Sequence, residues 1–164
     1  MRKSAAYWEE RKRFTYYQEV LRLARKHAPG AAAALDVGGA DCEYMGWFDW
    51  IREKWVVDSR PGWVPEGVRQ VCIDFMSYLC EDFDLVLCLQ VLEHLPKPEP
   101  FARKLLTTGK TVIVSVPYKW ARGQEPQHVQ DPVDESMLRS WFGRDWDDFA
   151  IVKDEAERMI AVFK

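Results

Sequence analysis

Three acids, each closing an apolar run, and a glycine pair beside the first of them could do chemistry together. Leu35–Tyr44 reads LDVGGADCEY. A short apolar run ends in Asp36, Gly38, Gly39 and Ala40 follow, and a helix-like run begins at Cys42. The pattern predicts a buried strand, a tight turn and a helix start. Gly38 and Gly39 carry no Cβ and reach positive φ, so a ligand can lie against their backbone. The helix beyond would offer unpaired N–H groups and the positive end of its dipole. Asp58 closes WVVD and Asp74 closes VCID. Asp58 falls about twenty residues after Asp36, an offset that suits a carboxylate gripping ribose hydroxyls above a glycine turn. Asp74 followed by Phe75 suits an adenine site, the carboxylate accepting from an exocyclic amine and the ring packing on the base. One acid at a strand end is commonly a cap or turn former. Three at successive strand ends exceed what capping requires.

The elements that must position these residues follow from hydrophobic patterning. Residues 4–28 read as one amphipathic helix, with Phe14, Tyr17, Leu21, Ala24 and Ala28 on one side and Arg11, Lys12, Glu19, Arg22 and Lys26 on the other. Pro29-Gly30 ends it. The segment 1–29 is expected to pack on the sheet or to cover the ligand site. A second helix is predicted over 42–54, with Tyr44, Phe48, Ile51 and Trp55 along its stripe. Strands are predicted at 55–58, 70–73, 85–89 and 111–116, with a turn or two of helix over 75–83 and a full helix over 99–107. Residues 149–153 and 159–163 read as an antiparallel hairpin. Continuously apolar strands alternating with helices predict an α/β, doubly wound, mostly parallel sheet covered on both faces. In such sheets ligands bind beyond the carboxyl ends of the strands, near the point where strand order reverses.

The 164 residues, 48% hydrophobic and 30% charged, suit a single globular domain over 1–164. A net charge of −3 argues against binding a nucleic-acid backbone, so nucleic acid is not an expected partner. No apolar run is long enough to cross a bilayer, and the charged start lacks the apolar core of a signal peptide, which points to the cytoplasm and to no membrane partner. Cys42, Cys72, Cys80 and Cys88 form no C-x-x-C pair and are expected to be buried free thiols. The surplus tryptophans, Trp47, Trp50, Trp63, Trp120, Trp141 and Trp146, could supply an exposed face for a homodimer.

At this point the chain resembles the class I S-adenosylmethionine-dependent methyltransferases. LDVGGADCEY resembles their first motif, VVD the second and CIDF the third, while FDLVLCLQVLEHLPKP, Phe83 to Pro98, resembles the fourth and VIVSVP the fifth strand. The resemblance implies a seven-stranded, Rossmann-like sheet of order 3-2-1-4-5-7-6 with strand 7 antiparallel. It implies S-adenosyl-L-methionine as cofactor, lying against Gly38, Gly39 and Ala40. The ribose would rest on Asp58 and the adenine between Ser59 and Phe75 with its amine on Asp74. The methionine end would lie near Leu89, Gln90 and Val91, and Asp36 would orient the loop. Two departures stand out: Ala40 and Cys42 replace glycines of the usual G-x-G-x-G, and Gln90 stands where relatives often carry Glu or an aromatic residue.

Methyl transfer from a sulfonium is an in-line displacement, and a base is needed only where the acceptor arrives protonated. Tyr118, just past the fifth strand, and His128, in the loop after it, are the catalytic candidates. Gln90, Glu93, His94 and His128 resemble the metal-binding set of small-RNA 2′-O-methyltransferases, which present two glutamates and two histidines. A neutral amide at Gln90 is a poor ligand for a hard cation, so no metal is expected. The D/N-P-P-Y sequence of amino-methylating DNA enzymes is missing. The expected activity is O- or N-methylation of a small-molecule acceptor. Two alternatives are a nicotinamide-dependent oxidoreductase, disfavoured by Glu43 where close helix packing wants Gly or Ala, and a catalytically silent relative serving as a binding or scaffold partner.

Overall fold

Alternation along the strands decides the architecture. In β4 (Phe83–Leu89) Leu85, Leu87 and Leu89 face one hydrophobic layer, whereas Val86 and Cys88 face another. A strand buried on both faces must sit in the middle of a sheet covered on both sides. The computed structural model, which describes residues 4–79 and 82–164, shows this sheet. β1 (Ala33–Val37), β2 (Glu53–Asp58), β3 (Val68–Cys72), β4, β5 (Gly109–Pro117), β6 (Asp148–Lys153) and β7 (Glu157–Phe163) form seven strands in the order β3-β2-β1-β4-β5-β7-β6. β1 to β5 run parallel, and β7 is antiparallel to both β5 and β6. Strand order, direction and fold class agree with the sequence reading. The order reverses between β1 and β4, so a crevice opens at their carboxyl ends.

One layer is built by α2 (Thr15–His27), whose Tyr16, Val20, Leu23 and Ala24 are buried, together with Trp8 of α1 (Ala5–Arg11) and with Tyr44, Met45, Phe48 and Ile51. The other is built by α3 (Pro98–Thr108) and α4 (Glu135–Phe142), through Phe101, Ala102, Leu105, Leu138, Trp141 and Phe142. Pro98 starts α3 at a position where its missing N–H is not needed. Asp134 caps α4 by accepting from the Met137 N–H at 2.9 Å, and Gly143 ends it at φ 67°.

The single leading helix expected over 4–28 is instead two helices, broken at Lys12–Phe14. The break has a distant cause. Phe14 supplies no side-chain cap to α2, and the carboxylate of Asp154, from the β6–β7 turn, accepts from the Thr15 and Tyr16 N–H groups at 2.9 Å each. These helices pack on the sheet, α2 against β5, β6 and β7.

The helix expected over 42–54 is absent. Asp41 takes φ 66°, which stops helix growth from the turn, and one short 3₁₀ turn, Tyr44–Trp47, stands in its place. Tyr44, Phe48 and Ile51 are buried as the spacing implied, but along a wrapped loop. Strand bounds shift too, by one or two residues at an end; β3, for example, runs Val68–Cys72 rather than over 70–73. Cys88 is buried, but Cys72 is exposed at the edge strand, against expectation. Cys80 lies outside the described residues. Trp8 and Trp141 are buried and the other six tryptophans are half-buried, so the exposed aromatic face expected for a homodimer is not found. Among the described residues, no helix is long and apolar enough to cross a membrane.

Candidate functional site

A cleft of about 440 Å³ lies at the carboxyl ends of β1 to β4, within the range of small-molecule sites. It crosses the strand ends in spatial order: Asp74 and Phe75 follow β3, Asp58 and Ser59 end β2, Gly38 follows β1, and Gln90 and Val91 follow β4. Seven of the eleven residues assigned to the cofactor from the sequence therefore share one hollow. Asp36, Gly39, Ala40 and Leu89 are not part of its lining, and neither are Tyr118 and His128.

The glycine loop is built around close approach. Gly38 sits at φ 86°, donates its N–H to the Val57 carbonyl at 2.8 Å, and would carry a Cβ only 2.6 Å from Val91 Cγ2. A Cβ on Gly39 would fall 1.7 Å from Asp36 Oδ2, so Gly39 lies directly on the Asp36 carboxylate. Asp36 is fully buried, and neither of its oxygens has a hydrogen-bond partner in good geometry. Burial pushes its carboxyl up to about 7; the neighbouring Tyr44 hydroxyl offsets this in part, and Asp58 adds to it. Ala40, one departure from the glycine pattern, and Asp41 beside it do not line the cleft. Ala40 packs under Gly62, and Asp41 exchanges two bonds with Trp63, its N–H to the Trp63 carbonyl and its Oδ1 from the Trp63 N–H, each 2.9 Å. The segment after β2 thus replaces the ligand contact that a third glycine would permit. Burial pushes the Cys42 thiol well above its ordinary value, which keeps it protonated.

Asp58 ties the two loops together. Its Oδ2 accepts from the Ala40 N–H at 3.3 Å, its Oδ1 from the Arg60 N–H at 2.9 Å, and the Arg60 Nε lies 3.6 Å away. Asp74 is exposed, and its Oδ1 accepts from the Met76 N–H at 2.9 Å. Phe75 is buried against Phe101, ring centroids 4.8 Å apart. This loop is held from α3 by Lys104, whose Nζ donates to the carbonyls of Phe75, Met76 and Tyr78 at 2.6, 3.0 and 2.7 Å.

At the other end Gln90 takes φ 58°, a left-handed conformation that a non-glycine residue holds only when its surroundings impose it. Its N–H donates to the Ser115 carbonyl at 2.9 Å and its Nε2 to Ser115 Oγ at 3.1 Å. Past Gln90 lies a cluster that the sequence reading placed only in part. His94 lines the cleft, and its Nδ1 meets the Gln127 carbonyl at 3.0 Å. The His128 ring lies edge-on to it at 4.8 Å, with Trp120 stacked on the His128 ring. His128 Nδ1 lies 2.8 Å from Asp131 Oδ2, and its Nε2 lies 4.0 Å from Glu93 Oε1. Glu93 is fully buried with both oxygens unpartnered, and burial pushes its carboxyl up to about 8.

One atom each of Glu93, His94 and His128 lies within 4.8 Å of the others. These donor types suit a divalent transition ion, but ligand distances of about 2.1 Å would require the three to draw together. The Tyr118 hydroxyl donates to Glu135 Oε1 at 2.9 Å, away from the cleft, because Glu135 lies in the first turn of α4. Among the residues that matter here, sequence reasoning missed Lys104, Asp131 and the exposure of His94 to the cleft. Only Asp131 had a local signal, three residues after His128.

No protein-family model and no curated protein sequence matches the chain. Solved structures do. The N-methyltransferase NodS from Bradyrhizobium japonicum WM9, in complex with S-adenosyl-L-homocysteine, superposes with a TM-score of 0.70 at 14% identity, over 90% of this chain and 84% of that one. The methyltransferase domain of bacterial CtHen1-CN gives 0.63 at 16% identity, over 91% and 97%. Human N-acetylserotonin methyltransferase in complex with S-adenosylmethionine gives 0.59 at 13%, over 90% and 55%. With its strand order, its reversed last strand and a cleft at the strand ends, the chain has the fold of the class I S-adenosylmethionine-dependent methyltransferases.

Proposed function

We propose that the chain is an S-adenosylmethionine-dependent methyltransferase acting on a small-molecule acceptor, at oxygen or nitrogen. The observation that carries this reading is the meeting of Gly38, Asp58, Asp74 and Phe75, from three neighbouring strand ends, in one cleft. Asp74 and Phe75 take the adenine, Asp58 and Ser59 the ribose, and the Gly38 backbone the middle of the donor. Gln90 and Val91 take its amino-acid end. Gly39, Ala40 and Asp36 act from behind by shaping the loop. The donor supplies an activated methyl group; the chain supplies alignment, which is the larger part of such catalysis.

Where the acceptor arrives protonated, the His94 imidazole receives the proton, with His128 edge-on against it. His94 faces the cleft, and Asp131 holds His128 in one tautomer. Glu93, kept neutral by burial, adds no negative charge there at neutral pH. Tyr118, held by Glu135, has no part in this reading. The net negative charge favours a small acceptor over nucleic acid.

The test is a screen of metabolite fractions with methyl-labelled donor. Label entering a small-molecule fraction, and failing to enter with Asp58→Ala, supports the reading. Heat on titration with NAD and none with S-adenosylhomocysteine would replace it with the oxidoreductase alternative.

A further inference from the structure

Arg158 is a half-buried cation that the protein leaves without a counter-charge. It pairs with Pro117 at the carboxyl end of β5, on the side of the sheet that Ile160 and Val162 share with α2. Its guanidinium lies 5.1 Å over the Tyr16 ring and 5.8 Å over the Trp120 ring, within the range of cation–π contacts. Neither contact supplies an acceptor for its five N–H donors, and among the described residues no other group does. The acids around it are engaged elsewhere. Glu155 meets Arg11 at 3.4 Å, Glu157 meets Lys153 at 3.8 Å, and Asp154 holds the Thr15 and Tyr16 N–H groups. Glu93 feels the Arg158 charge, but burial keeps its carboxyl neutral at neutral pH. A guanidinium drawn this far from water calls for a partner.

The sheet says where that partner lies. The cleft crosses the ends of β3, β2, β1 and β4, and its last lining residues include Gln90 and His94, after β4. Arg158 stands on β7, two strand spacings further along the same edge, about 10 Å. Side chains join it to the cleft on both flanks. Tyr16 meets Ser115, to which Gln90 is bonded, and Trp120 stacks on His128, which lies edge-on to His94. A donor whose adenosine takes β3 to β1 and whose amino-acid end stops at Gln90 does not extend to β7. In-line transfer puts the acceptor beyond the methyl group, in space the donor leaves free. Toward β5 and β7 that space is bordered by Arg158.

We propose that Arg158 binds the acceptor by a carboxylate, the fork of N–H donors taking its two oxygens side by side, while the oxygen or nitrogen to be methylated lies elsewhere on the acceptor, toward His94. The inference rests on the methyltransferase reading and names the acceptor's class: a small organic acid. One guanidinium balances one negative charge. A phosphate monoester carries close to two and calls for a second cation, but Arg11 and Lys119, on the flanking segments, are already held by Glu155 and Glu135.

The experiment splits a metabolite extract by anion exchange and offers each fraction to the full chain with methyl-labelled donor. Label should enter compounds that the exchanger retains. Phosphatase treatment of the extract should leave it unchanged, and capping carboxylates as amides beforehand should abolish it. Arg158→Gln should raise the apparent KM for that fraction about 10- to 100-fold, the scale of hydrogen bonds between charged groups, while calorimetry gives the wild-type affinity for S-adenosylhomocysteine. Arg158→Lys, which keeps the charge and loses the fork, should fall between and serves if Arg158→Gln fails to fold. Label in neutral or cationic fractions, or label abolished by phosphatase, overturns the inference and leaves methyl transfer standing. So does an unchanged KM, or a KM that rises only in step with a loss of S-adenosylhomocysteine affinity, as a structural role or a bond to the donor's own carboxylate would produce. Wild-type protein that labels no fraction overturns the inference and the methyltransferase reading together.

Discussion

Lys104→Met should detach the loop that carries Asp74 and Phe75 without unfolding the protein. Three carbonyls, of Phe75, Met76 and Tyr78, converge on one ammonium at 2.6–3.0 Å. A hydrogen bond to a charged group contributes about 1.5–3 kcal/mol net. The three share one cation, and Lys104 is only half-buried, so water restores part of the loss. About 2 kcal/mol for the set is therefore a reasonable magnitude. Phe75 still packs against Phe101 and the turn keeps its bonds to Asp74, so most of the loss should appear as local opening rather than global unfolding. A ligand that needs the loop closed must then close it, which weakens its apparent affinity by about 30-fold for 2 kcal/mol. Calorimetric titration with S-adenosylhomocysteine reads this directly, and the melting temperature shows whether the fold survives. Lys104→Arg should recover part of the affinity. A folded Lys104→Met protein that binds within about twofold of wild type would refute the reasoning, since the loop would then be held by something other than these three bonds.

Gly39→Ala should destabilise the protein by about 2–4 kcal/mol, because its Cβ would fall on the buried Asp36 carboxylate; the denaturant midpoint reads this, and an unchanged midpoint would contradict the packing. Asp36 gives stability a pH dependence. Its folded value, about 7, lies above its ordinary 3.8, so its contribution is complete below pH 4 and is lost as pH rises from there through 7, because over that range the unfolded chain gives up the proton that the buried, folded carboxyl keeps. Asp36→Asn should flatten that decline, seen by denaturation at pH 5 and pH 8; an equally steep decline would point to another group. With an acceptor in hand, His94→Ala and His128→Ala should each lower kcat about 10²-fold while donor affinity holds, and a chelator should leave the rate unchanged. A rate restored by divalent ions after chelation would assign Glu93, His94 and His128 to metal instead.

The parts of the site legible in the sequence were those fixed by local chemistry. An acid closing an apolar run is a one-dimensional signal: Asp36 lies one residue before the end of β1, Asp58 ends β2 and Asp74 follows β3. Gly38 was legible because its position demands positive φ. What failed depended on contacts far along the chain. The apolar spacing of Tyr44, Phe48 and Ile51 fits a helix, yet a loop wrapped over the sheet buries the same side chains, and Asp41 at positive φ selects the loop. The break between α1 and α2 is invisible locally, because the cap arrives from Asp154. Lys104 reads as one more helix cation until α3 is seen beside the loop after β3. By contrast, α4 had local signals at both ends, Asp134 and Gly143, that could have found it. Tyr118 was placed by its nearness to β5, but side chains just past a strand end can turn either way, and Glu135 decides which.

The central claim is that carboxylates at neighbouring strand ends hold a methyl-donating nucleoside. Calorimetry of the purified chain with S-adenosylhomocysteine tests it most directly. The account predicts one site, with affinity lowered about tenfold or more by Asp58→Ala and with NAD giving no heat. No heat with S-adenosylhomocysteine, or binding that ignores Asp58, would contradict it.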